Sequence, residues 1–110
     1  MDDHASFRTT ARALLEAEGH EVVGEAADAA AALSLATRVR PDLVLLDVQL
    51  PDTDGFEVAK RLAQVDQPPQ IILISTRARE DFVGLIDSSP ARGFISKAEL
   101  SASRIADLLG

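Results

Sequence analysis

Two uninterrupted aliphatic runs, Leu43-Val44-Leu45-Leu46 and Ile71-Ile72-Leu73-Ile74, constrain this chain more than any other feature. A strand with one wet face alternates polar and apolar residues, so a run without alternation marks a strand covered on both faces. Each run stops at a polar residue, the first at Asp47 and the second at Ser75-Thr76. Around them the apolar spacing changes to three and four. Phe7, Ala11, Leu14 and Leu15 predict an amphipathic helix over 5–18, closed by Gly19. Residues 21–25 read as a short strand, and Asp28 as the cap of an alanine-rich helix reaching about Val39, ended by the restriction Pro41 places on Arg40. Residues 48–55 carry the Pro, Asp and Gly of a loop, with Asp52 and Asp54 as turn formers, and helical spacing resumes over 56–62. A helix over 80–88 with Phe82, Leu85 and Ile86 inward, a strand over 93–96 and a Ser101-capped helix holding Ile105, Leu108 and Leu109 follow. Strands alternating with helices predict an α/β fold, a doubly wound parallel sheet with helices on both faces.

At 110 residues the chain is the size of one domain, expected to cover 1–110 without an output domain. A net charge of −7 supplies no positive field to displace counterions, so neither direct nucleic acid binding nor a membrane surface is expected. The absence of cysteine excludes disulfides and thiolate chemistry, and the acidic start Met1-Asp2-Asp3-His4 is unlike a secretory signal. The cytoplasm is the expected location.

In doubly wound sheets, ligands bind beyond the carboxyl ends of the strands. The polar residues at those ends are Asp47, Ser75 with Thr76, and Ser96 with Lys97. A carboxylate, a hydroxyl and an ammonium converging there suit a phosphoryl group: the first as nucleophile, the others as hydrogen-bond donor and counter-charge. Asp2 and Asp3 offer the hard oxygen donors that Mg²⁺ prefers.

This set, with the segment Leu45-Leu46-Asp47-Val48-Gln49-Leu50-Pro51-Asp52-Thr53-Asp54-Gly55, resembles the receiver domain of two-component response regulators. Asp47 lies 44 residues after Asp3, Ser75 lies 28 after Asp47 and Lys97 lies 50 after Asp47, separations that agree with that family. The resemblance implies a flavodoxin-like fold with strand order 2-1-3-4-5. It also implies a phosphoacceptor signalling domain rather than an enzyme, acting in phosphorelay signal transduction. Asp47 would be the phosphoacceptor, served by a histidine kinase or phosphotransfer protein. Mg²⁺ would be held by Asp2, Asp3, Asp47 and the backbone carbonyl of Gln49. Ser75 and Lys97 would each contact a phosphoryl oxygen, and Phe94 would be the aromatic that moves with Ser75. Output would pass through a separate partner or a homodimer.

Four positions depart from the family pattern. Only Met1 precedes Asp2, where the family carries an apolar first strand, and in the order 2-1-3 its loss leaves a gap of about 9.6 Å between neighbours. Either the natural protein begins several residues upstream, or the chain is a truncated relative that folds poorly or with a partner. Lys97 precedes Ala98 rather than a proline in a cis peptide, which leaves the aim of Lys97 open, since a cis bond before alanine costs about 2.5–4 kcal/mol. Thr76 is larger than the family's usual residue and Phe94 lacks a tyrosine hydroxyl. His4 and His20 are expected to be exposed, without partners at metal-ligand spacing.

These departures leave an alternative function, a receiver-like protein-interaction module that is not phosphorylated. An aspartate-nucleophile phosphatase would want a second Asp where Gln49 stands.

Overall fold

The computed structural model of the chain describes residues 1–109; Gly110, the end of the expected domain, lies outside them. Both aliphatic runs are strands. β1 (Leu43–Asp47), β2 (Gln70–Ser75) and β3 (Gly93–Ser96) form a parallel sheet in the order β1-β2-β3. The register sets Leu46 beside Leu73 and Leu73 beside Phe94, so one face of the sheet carries Val44, Leu46, Ile71, Leu73 and Phe94. That face packs on α2 (Ala29–Val39), α3 (Gly55–Leu62) and α4 (Val83–Ser88). Leu45, Ile72, Ile74 and Ile95 point the other way, onto α1 (Ala5–Ala17) and α5 (Ala102–Leu109). Covering both faces explains the missing alternation: Leu46, Ile72 and Leu73 are wholly buried, each contributing about 1.5–3 kcal/mol.

Local chemistry places the helix ends. Gly19 takes φ +88° after α1, a conformation that costs glycine nothing. Asp28 caps α2 by accepting the Ala31 N–H at 2.8 Å, and α2 ends at Arg40, which takes a left-handed φ of 47° and not the extended backbone expected of a residue before proline. Asp54 caps α3 through the Glu57 N–H at 2.9 Å, and Ser101 accepts the Arg104 N–H at 3.2 Å in the first turn of α5.

Asp52 does more than form a turn. Its carboxylate accepts the N–H groups of Ala29 at 2.9 Å and Ala30 at 3.1 Å, filling two of the four orphan donors of α2 from a loop distant in sequence. The same bonds hold the Asp52 carboxyl below its ordinary pKa, the Ala29 N–H foremost. Asp52→Ala is expected to fray the first turn of α2 and to speed amide exchange at Ala29 and Ala30, leaving Leu46 protected. Unchanged exchange at both amides would contradict this role.

Two further expectations need correction, and one point the sequence leaves open has an answer. Residues 21–25 form no strand, because a strand needs a hydrogen-bonded neighbour and no other strand lies beside them among the described residues. The observed strand order therefore covers only the three-stranded part of the expected five. Leu85 points outward, 56% exposed: the segment begins as a 3₁₀ turn, Arg79–Phe82, and the short α4 buries only the stripe of Phe82 and Ile86. Finally, every described peptide bond is trans, Lys97-Ala98 included.

Among the described residues, Met1 is the backbone hydrogen-bonding neighbour of β1 on the side away from β2, with Asp2 next to it. The Met1 amine donates to Leu45 O at 2.9 Å, Asp47 N–H donates to Met1 O at 3.0 Å, and Asp2 N–H donates to Ala26 O at 2.9 Å. A cleft of about 420 Å³ opens along the rest of that edge.

Candidate functional site

Asp47 ends β1, and its carboxylate is buried at the sheet's carboxyl edge. Oδ1 accepts the Gln49 N–H at 2.9 Å; Oδ2 accepts Lys97 Nζ at 2.9 Å. Lys97 follows β3 at the start of a 3₁₀ turn and reaches this point from a trans backbone. Its ammonium sits 4.4 Å from the centre of the Phe7 ring, a cation–π contact from α1 that holds the amine on the acids.

Lys97 Nζ also lies 2.5 Å from Asp2 Oδ2, a close ionic contact that falls off the hydrogen-bonding direction. Asp2 is 1% exposed. Its Oδ1 accepts the His4 N–H at 2.8 Å, and Arg8, itself paired with Glu25, donates to the Asp2 carbonyl at 2.6 Å. Thus an acid next to the first residue is held from both backbone and side chain.

Electrostatics separates the two carboxyls. Burial raises both, and at Asp47 it prevails over the Gln49 N–H and the Lys97 ammonium, leaving the pKa above its ordinary value. At Asp2 the same desolvation is outweighed by the closer Lys97 ammonium and the His4 N–H, and the pKa falls. Burial lowers the Lys97 pKa but contact with both acids raises it further, so the amine stays charged. Two buried carboxylates and one ammonium share a single set of charges.

Asp2, Asp3, His4 and Asp47 each bring a ligand atom within 4.8 Å of the others. Carboxylate oxygens at octahedral distances from Mg²⁺, about 2.0–2.1 Å, fall within that span. The donor set fits a hard divalent cation, whose charge would do what Lys97 does here for Asp2 and Asp47. Asp3 is more exposed, with Oδ1 3.1 Å from His4 Nδ1. His4 is exposed as expected but has acidic neighbours after all, Asp2 Oδ1 lying at 3.2 Å from Nδ1.

Ser75 ends β2, fully buried, and its Oγ accepts the Arg77 N–H at 3.0 Å. Its hydroxyl proton serves no acceptor among the described residues. Thr76 beyond it is exposed. Gln49 turns its N–H to Asp47 and bridges to Asp54 across the loop. Phe94 is inward, its ring centre 5.9 Å from that of Phe82, which in turn meets Phe56 in a tilted pair with centres 5.8 Å apart. The edge therefore gathers Asp47, Lys97, Asp2 and Asp3, while Phe94 lies within the core. Phe7 had no signal beyond helical spacing, because its contact with Lys97 comes from the far end of the chain, and Arg8 had none, because its bonds to Asp2 and Glu25 exist only once α1 has packed.

The response regulator receiver domain family matches residues 1–109. Transcriptional regulatory protein LiaR of Bacillus subtilis is 32% identical over 110 residues, covering 99% of this chain and 52% of that protein. The chain spans about half the length of the curated relatives it matches. A crystal structure of a LuxR-family two-component response regulator from Aurantimonas superposes with TM-score 0.84 at 32% identity, covering 99% of this chain and 81% of that one. The BeF3-activated receiver domain of Klebsiella pneumoniae RstA matches with TM-score 0.81 at 27% identity, over 98% and 91% of the two chains. With an α/β parallel sheet and an acidic cluster at its carboxyl edge, this chain belongs to the response regulator receiver family, the signalling domains of two-component systems.

Proposed function

We propose that Asp47 is the phosphoacceptor of this receiver, with Asp2, Asp3, Asp47 and the backbone carbonyl of Gln49 as the protein ligands of Mg²⁺. The observation that carries this reading is Lys97 Nζ, held between Asp47 Oδ2 and Asp2 Oδ2 at 2.9 and 2.5 Å. Residues far apart in sequence meet there in a buried charge cluster. A magnesium ion would supply positive charge to the acids and to the incoming phosphoryl oxygens.

An Asp47 carboxylate oxygen attacks the phosphorus of a phosphohistidine on a histidine kinase or phosphotransfer protein. The new O–P bond replaces the P–N bond, and the imidazole leaves with the electron pair and takes up a proton from water. The Gln49 N–H keeps the carboxylate oriented while this occurs. Lys97, already on Asp47 Oδ2, pairs with a phosphoryl oxygen, and the free hydroxyl proton of Ser75 is donated to another. As Lys97 leaves Asp2 and Ser75 turns to the new group, the two residues bias the packing beneath them, where Phe94 meets Phe82. Signalling then passes to an output partner or a second copy.

The test is intact-mass analysis after incubation with acetyl phosphate and Mg²⁺. A phosphoryl adduct is expected on the folded chain, lost with EDTA and lost in Asp47→Asn. No adduct on folded wild type, or an equal adduct in Asp47→Asn, refutes the assignment. An unphosphorylated interaction module would give the first of these results.

A further inference from the structure

Of the four donors gathered at the acidic edge, Asp2, Asp3 and Asp47 bring carboxylate oxygens and His4 brings a nitrogen. His4 Nδ1 lies 3.2 Å from Asp2 Oδ1 and 3.1 Å from Asp3 Oδ1. Around one ion, with bonds of about 2.0–2.2 Å, neighbouring ligand atoms stand about 2.8–3.6 Å apart, from octahedral to tetrahedral arrangement. Both separations fall in that interval. The His4 N–H donates to Asp2 Oδ1 at 2.8 Å, so the backbone that carries the ring is tied to the first acid, while the ring itself is 64% exposed. Asp2 Oδ2 points independently to a cation: it is buried, accepts no hydrogen bond, and its contact with Lys97 is ionic. A ring protonated on Nδ1 would donate between the two acids, whereas a neutral ring with its proton on Nε2 presents the Nδ1 lone pair.

We propose that His4 Nδ1 is a further ligand of this site, and that the site takes a divalent first-row transition ion in preference to Mg²⁺. The proposal rests on the metal-site reading above and adds a nitrogen to its oxygen donors. Carboxylates serve both classes of ion; the imidazole discriminates between them. Mg²⁺ keeps oxygen ligands and gains little from a ring nitrogen, whereas a site of mixed nitrogen and oxygen donors binds more tightly along the series Mn²⁺, Fe²⁺, Co²⁺, Ni²⁺. Exposure suits the role, because a ring at the rim can turn onto an entering ion while the core beneath stays as it is. His20, the other histidine of the chain, is not among the four residues and serves as the control.

Co²⁺ is the probe and Mg²⁺ the comparison, each titrated into the folded chain by calorimetry. Wild type should bind Co²⁺ at least about tenfold more tightly than Mg²⁺. His4→Ala keeps the backbone N–H on Asp2, and it should lose about tenfold or more in Co²⁺ affinity but less than about threefold in Mg²⁺ affinity. Proton NMR of the Co²⁺ complex should show hyperfine-shifted imidazole ring protons that persist in His20→Ala and fade as excess Mg²⁺ competes. These signals report the ligand in wild type itself, whatever a variant does to folding. Their absence overturns the proposal, as does their loss in His20→Ala or their survival under saturating Mg²⁺, which would put the ion elsewhere. Equal losses for the two ions in His4→Ala also overturn it, since the ring would then only steady the acids through charge and hydrogen bonds. Mg²⁺ binding without any imidazole signal removes the nitrogen ligand and leaves the metal-site reading standing, whereas a folded wild type that binds neither ion refutes both.

Discussion

Lys97→Met is expected to destabilise the fold by about 3–5 kcal/mol at neutral pH, the usual cost of removing one partner from a buried charge cluster. The methionine keeps most of the volume and loses the ammonium. Lys97 is 10% exposed in its side chain, and the acids it bridges are 2% and 4% exposed, so water cannot take over its role. Wild type and variant should differ in their response to acid, because in wild type the two acids oppose each other: the raised Asp47 pKa adds stability as pH falls, while the lowered Asp2 pKa removes it. In wild type the Asp2 pKa lies below its unfolded value, so its contribution is present above the ordinary carboxylate range and is lost as pH falls through the folded pKa. Without the ammonium, desolvation dominates at both acids: the Asp47 pKa, already raised, rises further, the Asp2 pKa moves from below its unfolded value to above it, and the variant gains stability on acidification through the carboxylate range. Lys97 itself, with a raised pKa, contributes below the ordinary lysine range and is lost as pH rises through its folded value. Urea unfolding from pH 4 to 8 measures the narrowing gap, and added Mg²⁺ should narrow it at pH 7. A loss under about 1 kcal/mol that does not vary with pH, like an exposed ion pair, would refute the buried cluster.

The cluster was partly legible in the sequence because strand ends are local signals and parallel register carries them into space. The runs stopping at Asp47 and Ser75, and the strand before Lys97, put three polar residues on one edge without knowledge of any contact. The rest depended on distant partners. Phe7 shows only the spacing of a helix residue, yet it lies under Lys97 because α1 and β3 meet at the same edge. Asp52 looks like any turn acid, and its bonds to Ala29 and Ala30 exist only once the loop folds over α2. The segment 21–25 has strand-forming valines and no strand beside it, so its composition misleads. Leu85 misleads differently: its helical spacing is sound, but the 3₁₀ turn before α4 leaves a six-residue helix with one narrow buried stripe.

Gly55→Ala should be the most damaging substitution of a single hydrogen by methyl. Gly55 opens α3, where alanine is intrinsically better by roughly 0.5–1 kcal/mol, so propensity predicts a gain. Space predicts the opposite. A Cβ there would stand 2.2 Å from Asp47 O, 2.8 Å from Val48 Cα and 3.0 Å from Asp47 C, all backbone atoms that no rotamer change can move. The Gly55 N–H also donates to Val48 O at 2.6 Å, tying the loop against the end of β1. Overpacking of this kind costs typically about 1–3 kcal/mol, and a clash against fixed backbone belongs at or above the upper end, so space outweighs propensity. Two of the three displaced atoms belong to Asp47 itself, so the phosphoryl adduct from acetyl phosphate should fall by a larger factor than the folded fraction does. Gly84 in α4 is the control: nothing lies within 4 Å of its added Cβ, and Gly84→Ala should be neutral or stabilising by up to about 1 kcal/mol. Denaturation midpoints and adduct yields measured side by side decide the matter; equal stability of Gly55→Ala and Gly84→Ala would mean that the loop after Asp47 does not pack on β1 as described.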